Sequence, residues 1–282
     1  MIVALALLSA AAYGAGDFLG GITSRRSAAL LVNFIAGGAG FLLVLPMLLL
    51  FPGHLSEKAL FWGAIAGLSL GIGQVVFYRA LASGAMSLTA PLTGAVGAAL
   101  PVLVAFALGE GVGFRVELGL LSGLVALILA SWGKEQSDIQ GSPSKRVGVS
   151  IWLVLIAGSG FAGYFIALAQ APHDSGFWSL AASQMSFFAF LSCALLGVGG
   201  ELSVSAAVIR GSLAAGLLTM VAEICYLIAV QHGNLAEVVV ITSLYPAFTV
   251  LLAMFWLRER LLIRQWAGVL LALVAIALIA AG

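Results

Sequence analysis

Gln74-Val-Val-Phe-Tyr-Arg-Ala-Leu-Ala-Ser-Gly84 returns later in the chain as Glu223-Ile-Cys-Tyr-Leu-Ile-Ala-Val-Gln-His-Gly233, shifted by 149 positions. The same offset carries Thr93 onto Thr242, Leu108-x-Glu110 onto Leu257-x-Glu259, Arg115 onto Arg264 and Gly119 onto Gly268. Residues 74–133 and 223–282 are therefore two copies of one segment. Both are apolar throughout. Membrane proteins assembled from two related halves are usually carriers, so the repeat bears on function as well as on fold.

Composition fixes the solvent. The chain is 62% hydrophobic and 8% charged, whereas soluble domains carry about 25% charged residues. Apolar runs of roughly 20 residues follow one another, each long enough to cross the ~30 Å hydrocarbon layer. In lipid the backbone must be satisfied within the segment, so the runs read as helices. Barrel strands would alternate over about 10 residues, which these do not. Met1 to Leu8 enters the first run without a basic segment before it and reads as a retained helix rather than a cleaved signal peptide. Cys193 and Cys225 both lie in apolar runs and read as small core side chains. A net charge of +1 excludes a nucleic-acid binder on electrostatic grounds.

The pattern predicts an all-α polytopic protein of ten spans, at roughly 1–21, 28–51, 59–82, 86–109, 114–132, 148–170, 176–198, 205–230, 234–257 and 262–281. The loop from Gly133 to Val147 is polar and turn-rich. It divides the chain into a first five-helix half (1–133), a linker (134–147) and a second five-helix half (148–282). The connections after spans 1, 3, 5, 7 and 9 carry Arg25, Arg26, Arg79, Lys134, Lys145, Arg146, Arg210, Arg258, Arg260 and Arg264, against Lys58 and Arg115 on the other face. Ten against two places the first face in the cytoplasm and both termini outside. His54, His173 and His232 fall on the outer face without ligand spacing. Five spans per half is an odd number, so the halves are expected to be inverted, which lets them exchange conformations around a central site.

Enzyme signatures are absent: there is no His-Glu-x-x-His, Gly-x-Ser-x-Gly, Walker A or dinucleotide fingerprint. No cofactor or metal is implied. With no ATPase in the chain, uphill transport would draw on an ion gradient or on the substrate's own gradient, and protons are one candidate ion. The intramembrane polar residues are the candidate site, because each is costly unless it meets a cavity or a partner. Gln74 on span 3 and Glu223 on span 8 are related by the 149 offset. Helical spacing puts Phe77 and Tyr78 beside Gln74, and Tyr226 beside Glu223. Asn33 and Gln184 form a second pair, at an offset of 151. The four groups are expected to converge on one central cavity, although a membrane Asn or Gln also serves simply to bond a neighbouring helix. Glu223, halfway along its span, reads as a ligand for a substrate ammonium group or as a proton carrier. Asp17 and Glu237 lie nearer helix ends, within reach of the interface. Tyr164, Phe165, Trp178, Phe187, Phe188, Tyr245 and Phe248 lie at cavity depth, and deep tyrosine hydroxyls need partners. Gly63, Gly67 and Gly71 form a small-residue stripe on span 3. Pro91 and Pro101 are expected to interrupt span 4, and Pro246, which the repeat places opposite Gly97, to interrupt span 9 as a paired hinge.

Ser243-Leu-Tyr-Pro-Ala-Phe-Thr-Val-Leu-Leu-Ala, then Leu257-Arg-Glu-Arg and Gln265-x-x-Gly268, with the looser Leu108-Gly109-Glu110 and Gly119 of the first half, resemble the drug/metabolite transporter superfamily and its ten-helix EamA-type exporters. Arg258 departs from the Gly-Glu usual there. The resemblance covers the whole chain and implies export of small metabolites, often amino acids, with spans 5 and 10 peripheral. The aromatic interior looks like that of the bacterial aromatic amino-acid exporters, which implies a multi-pass protein of the inner membrane. The expectation is a monomeric carrier in membrane lipid that exports amino acids, aromatic ones preferred, by alternating access. The ring would stack on Tyr78, Trp178 or Tyr226, with Tyr245 also lining the site, while Asn33, Gln74, Gln184 and Glu223 hold polar groups. The rivals are a broad drug or cation effluxer, with Glu223 neutralising the cation, and a non-transporting scaffold or sensor.

Overall fold

Apolar runs of this length can satisfy their backbone only as helices, and the computed structural model consists of helices joined by turns and short connections, with no strand among the described residues. These are residues 1–50, 53–107, 113–131, 150–197, 204–232, 238, 241–242, 244–259, 261 and 263–281. The linker 134–147 with Lys134, Lys145 and Arg146, and also Glu110, Gly133, Glu237, Ser243 and Arg260, lie outside them.

Ten α-helices are described: α1 (Ile2–Ser24), α2 (Ala29–Leu50), α3 (Glu57–Ser83), α4 (Met86–Ala107), α5 (Phe114–Ser131), α6 (Ile151–Ala169), α7 (Trp178–Gly197), α8 (Ala206–His232), α9 (Tyr245–Leu257) and α10 (Ile263–Ala280). Seven of them, α1, α2, α3, α6, α7, α8 and α10, are long and apolar enough to cross a membrane. The outward faces carry exposed Leu42, Leu49, Phe61, Trp152, Phe255 and Ile263. Such a surface suits acyl chains and not water. The protein is a multi-pass membrane protein.

Two helix breakers behave differently from expectation. α4 runs unbroken through Pro91 and Pro101, since a packed bundle can re-satisfy the freed carbonyls. Pro246 does mark a boundary: Leu244 is a turn, and α9 starts at Tyr245 with the proline in its first turn. There a missing N–H removes no intrahelical bond.

Small residues decide which helices meet. α1 packs mainly on α8, α3 on α6 and α7, α2 on α7 and α8, α4 on α6, and α9 on α1. α5 and α10 pack on each other and on α4, away from the remaining helices. Exchanging first-half helices for second-half helices in order turns α1–α8 into α6–α3, α2–α8 into α7–α3, and α4–α6 into α9–α1. The stripe Gly63, Gly67 and Gly71 lies on α7: a Cβ on Gly67 would strike the Ser183 carbonyl and come within 2.9 Å of the Phe187 amide nitrogen. Backbone contact this close is what a small-residue stripe provides in lipid, where association rests on packing rather than on the hydrophobic effect.

Candidate functional site

The site is built around α1. Gly14, Gly16, Gly20 and Gly21 let four neighbours approach this helix: Phe248 of α9, Thr219 of α8, and the Tyr78 and Leu81 side chains of α3. The ring of Tyr78 occupies the space a side chain at Gly20 would need. Ser9 donates to the Ala222 carbonyl at 2.8 Å, and Thr249 donates to the Gly14 carbonyl at 3.1 Å. α1 is thus tied to both α8 and α9.

Two carboxylates lie inside this frame. Asp17 is 7% exposed and Glu223 6%, and each is held by a glutamine from another helix. The Gln74 amide lies beside the Asp17 carboxylate and also beside the Tyr78 hydroxyl one turn along α3, close enough to act on both. Gln184 donates Nε2 to Glu223 Oε2 at 2.9 Å. The Gln184 side chain lies over Gly40 of α2, where a Cβ would stand 3.2 Å from Oε1. Asn33 is 1% exposed and donates Nδ2 to the carbonyls of Ala29 (2.8 Å) and Gln74 (3.4 Å), fastening α2 to α3. The two repeat-related pairs therefore meet as pairs, Asn33 with Gln74 and Gln184 with Glu223. One pair joins through backbone and the other through side chains.

Tyrosines connect the carboxylates. Tyr78 and Tyr245 lie within electrostatic reach of Asp17, and Tyr13 and Tyr164 within reach of Glu223. Tyr226 shares the second group, lying near Tyr13 and Tyr164. The rings of Tyr13 and Tyr245 close the gap, with centroids 5.9 Å apart at 55°. A polar seam thus runs from Gln74 and Asp17 past Tyr245 and Tyr13 to Glu223 and Gln184. Among the described residues no Lys, Arg or His is buried, so the seam has no fixed cation. The hydroxyls of Thr93, Ser183 and Thr242 are buried without a hydrogen-bond partner, and Thr93 and Thr242 are the pair related by 149. Buried unpaired hydroxyls are uncommon in a native core.

Of the eight candidate residues from the sequence, seven border this seam. Trp178 does not. Its indole donates to the Gly53 carbonyl at 3.2 Å, at the start of α7. Beside it the His54 amide donates to the Asp174 carbonyl at 2.9 Å. Trp178 fastens the α2–α3 connection to the α6–α7 connection. Asp17 was expected near the interface; it is buried beside Gln74 instead. Tyr13 was not among the candidates, and four glycines between positions 14 and 21 were the available signal that this face of α1 is packed.

At the arginine-rich end, Glu259 closes the α3–α4 turn. Oε1 accepts from the Met86 amide (3.2 Å), and Oε2 from the Ser87 amide (3.1 Å) and hydroxyl (2.7 Å). A carboxylate placed on the first amides of α4 satisfies orphan donors and complements the helix dipole. Arg25 stands 3.5 Å from Oε1 and 3.4 Å from the Gly84 carbonyl. Arg258, the residue before Glu259, adopts φ 52° and ψ 36° at the end of α9.

No curated protein matches the chain. The stretch 148–281, just under half of this multi-pass membrane protein, matches the EamA-like transporter family.

Proposed function

We propose that the protein is a secondary carrier that moves small solutes bearing an ammonium group across the bacterial inner membrane, with amino acids the principal class. The observation that carries this reading is the pair of buried carboxylates, Asp17 and Glu223, each held by a glutamine amide and neither faced by a buried cation among the described residues. An ammonium group supplies the missing charge. The surrounding tyrosine faces add cation–π and stacking contacts, worth about 0.5–2 kcal/mol each. An aromatic side chain would lie among Tyr13, Tyr78, Tyr226 and Tyr245. Asn33 positions Gln74, and Gln184 positions Glu223.

Alternating access by two inverted halves is supported by the interchange of helix pairs under the repeat and by the match of Thr93 with Thr242. With the arginine-rich end in the cytoplasm, solute entering there leaves outside, and protons taken up by Glu223 could drive the return. A second reading, efflux of lipophilic cations, draws on the same absence of a buried base, since such a substrate brings no carboxylate needing a partner.

The test is uptake into liposomes containing the purified protein, using labelled Phe, Trp, Thr and a lipophilic cation, with and without a pH gradient. Flux of Phe and Trp above Thr supports the aromatic reading, and flux of the cation alone selects the second. No flux of any solute would overturn the carrier reading in favour of a scaffold or sensor. Flux indifferent to the gradient and retained in Glu223→Gln removes proton coupling.

A further inference from the structure

A cavity of about 800 Å³ opens at the arginine-rich end of the bundle, away from the carboxylate seam. Arg25, Arg79, Glu259, Ser24 and Ser83 line it together with apolar Ala29, Leu30, Val75, Ala82 and Leu261. The volume is that of a small-molecule site. Two of its lining residues adjoin the polar centre: Val75 follows Gln74 on α3, and the carbonyl of Ala29, one turn before Asn33 on α2, accepts the Asn33 side-chain amide.

The charges in this cavity do not cancel. Among the described residues lining it Glu259 is the only carboxylate, and both its oxygens are engaged by the first two amides of α4, the Ser87 hydroxyl and Arg25. Arg79 has no carboxylate partner among the described residues. The Ser24 hydroxyl is buried and has no hydrogen-bond partner. A free guanidinium, an unused hydroxyl donor and apolar walls together describe a receptor for a small organic anion, since guanidinium matches the planar fork of a carboxylate.

We propose that this cavity is an anion-binding vestibule in which Arg79, aided by Arg25 and Ser24, holds the carboxylate of an organic acid. It rests on the carrier reading only for its place in transport, where it would capture the carboxylate of an amino acid before the ammonium group reaches Asp17 and Glu223. Binding itself needs no transport.

The experiment measures calorimetric binding of 3-phenylpropionate and of its neutral amide to the full-length protein in phosphatidylcholine nanodiscs. The acid should bind at least tenfold more tightly than the amide and weaken as salt is raised. Arg79→Gln should lose at least tenfold, with part recovered in Arg79→Lys, at unchanged thermal unfolding. Glu223→Gln, expected to lower flux at least about 10-fold, should keep this binding, so failure of the vestibule and failure of the carrier are separate results. Equal binding of acid and amide, or full binding by Arg79→Gln, overturns the proposal. A lipid headgroup offers the same anionic chemistry. Displacement of the acid by phosphatidylglycerol in wild-type discs, absent in Arg79→Gln, would assign the cavity to lipid and overturn the solute reading; insensitivity to that lipid supports it.

Discussion

Gln184 of α7 holds Glu223 of α8 at 2.9 Å, with both side chains buried. The contact separates the role of the charge from that of its position. Glu223→Gln keeps shape and hydrogen-bonding capacity but removes the charge, and should lower flux of ammonium solutes at least about 10-fold while leaving the unfolding temperature near wild type. Gln184→Leu keeps the charge and removes its donor. Loss of a hydrogen bond to a charged group is worth about 1.5–3 kcal/mol, so KM should rise roughly 10- to 100-fold. Equal KM in wild type and Gln184→Leu would show that the amide does not position the acid.

Asp17 and Gln74 form the corresponding contact on the other side of Tyr13 and Tyr245. If both carboxylates face the solute, Asp17→Asn should depress flux as strongly as Glu223→Gln. The double variant should be no worse than the weaker single one, because residues acting as a unit are not additive. Asp17→Ala should be the more destabilising change, since it leaves the Gln74 amide without its buried acceptor. Flux assays and thermal unfolding on the same preparations give both answers. Wild-type flux in Asp17→Asn would reduce Asp17 to a structural residue.

Glu259 offers a stability prediction independent of transport. Glu259→Ala should destabilise the protein by about 0.5–2 kcal/mol, the usual worth of a helix N-terminal acceptor. Arg25→Ala should cost less, because an ion pair this exposed contributes about 0–1 kcal/mol. Ser87→Ala, which removes the 2.7 Å bond but leaves both amide bonds, should fall between wild type and Glu259→Ala. Thermal unfolding in one detergent orders the three. The ordering fails if Arg25→Ala is the most damaging.

Arg258 sits in the left-handed region, where a non-glycine residue loses about 1–2 kcal/mol. Glycine removes that strain but gains freedom in the unfolded chain, worth about 0.4–1 kcal/mol the other way. Arg258→Gly should therefore raise the unfolding temperature slightly, by the equivalent of about 0.5–1 kcal/mol, with flux unchanged. A lower unfolding temperature would mean that the arginine side chain contributes more than its backbone conformation removes.

These residues also show what a sequence can and cannot reveal about a membrane bundle. The helices were legible because an apolar run of membrane length has one way to satisfy its backbone. Glu223 was legible because a carboxylate halfway along such a run needs a reason. Asp17 was harder, since position along a helix says nothing about the direction its side chain faces. Only the packing of α3 against the glycines of α1 brings Gln74 onto it. Trp178 failed for the converse reason: an indole at cavity depth in the sequence proved to be an anchor between two connections. The prolines were equivocal because Pro91 lies within a packed helix and Pro246 in a first turn. Glu259 was visible as a motif residue, but its work on α4, more than 170 residues earlier, is a long-range contact no local pattern encodes.

Gly67 tests the packing on which the site depends. A Cβ there would strike the Ser183 carbonyl and approach the Phe187 amide nitrogen to 2.9 Å, and backbone groups cannot rotate away as a side chain can. Gly67→Ala should thus force α3 and α7 apart and destabilise by about 1–3 kcal/mol, the range of core overpacking. Gly97→Ala is the control: its Cβ would rest 3.4 Å from the Phe161 Cβ and 3.6 Å from the Gly158 carbonyl, ordinary contact distances. There the better helix propensity of alanine should make the change neutral or stabilising by at most about 1 kcal/mol. Gln184 follows Ser183 on the displaced helix, so Gly67→Ala should also weaken solute binding, seen as a rise in KM that Gly97→Ala lacks. Equal unfolding temperatures for the two variants would mean that α3 and α7 can separate without loss, and that the glycine stripe does not set the geometry around Glu223.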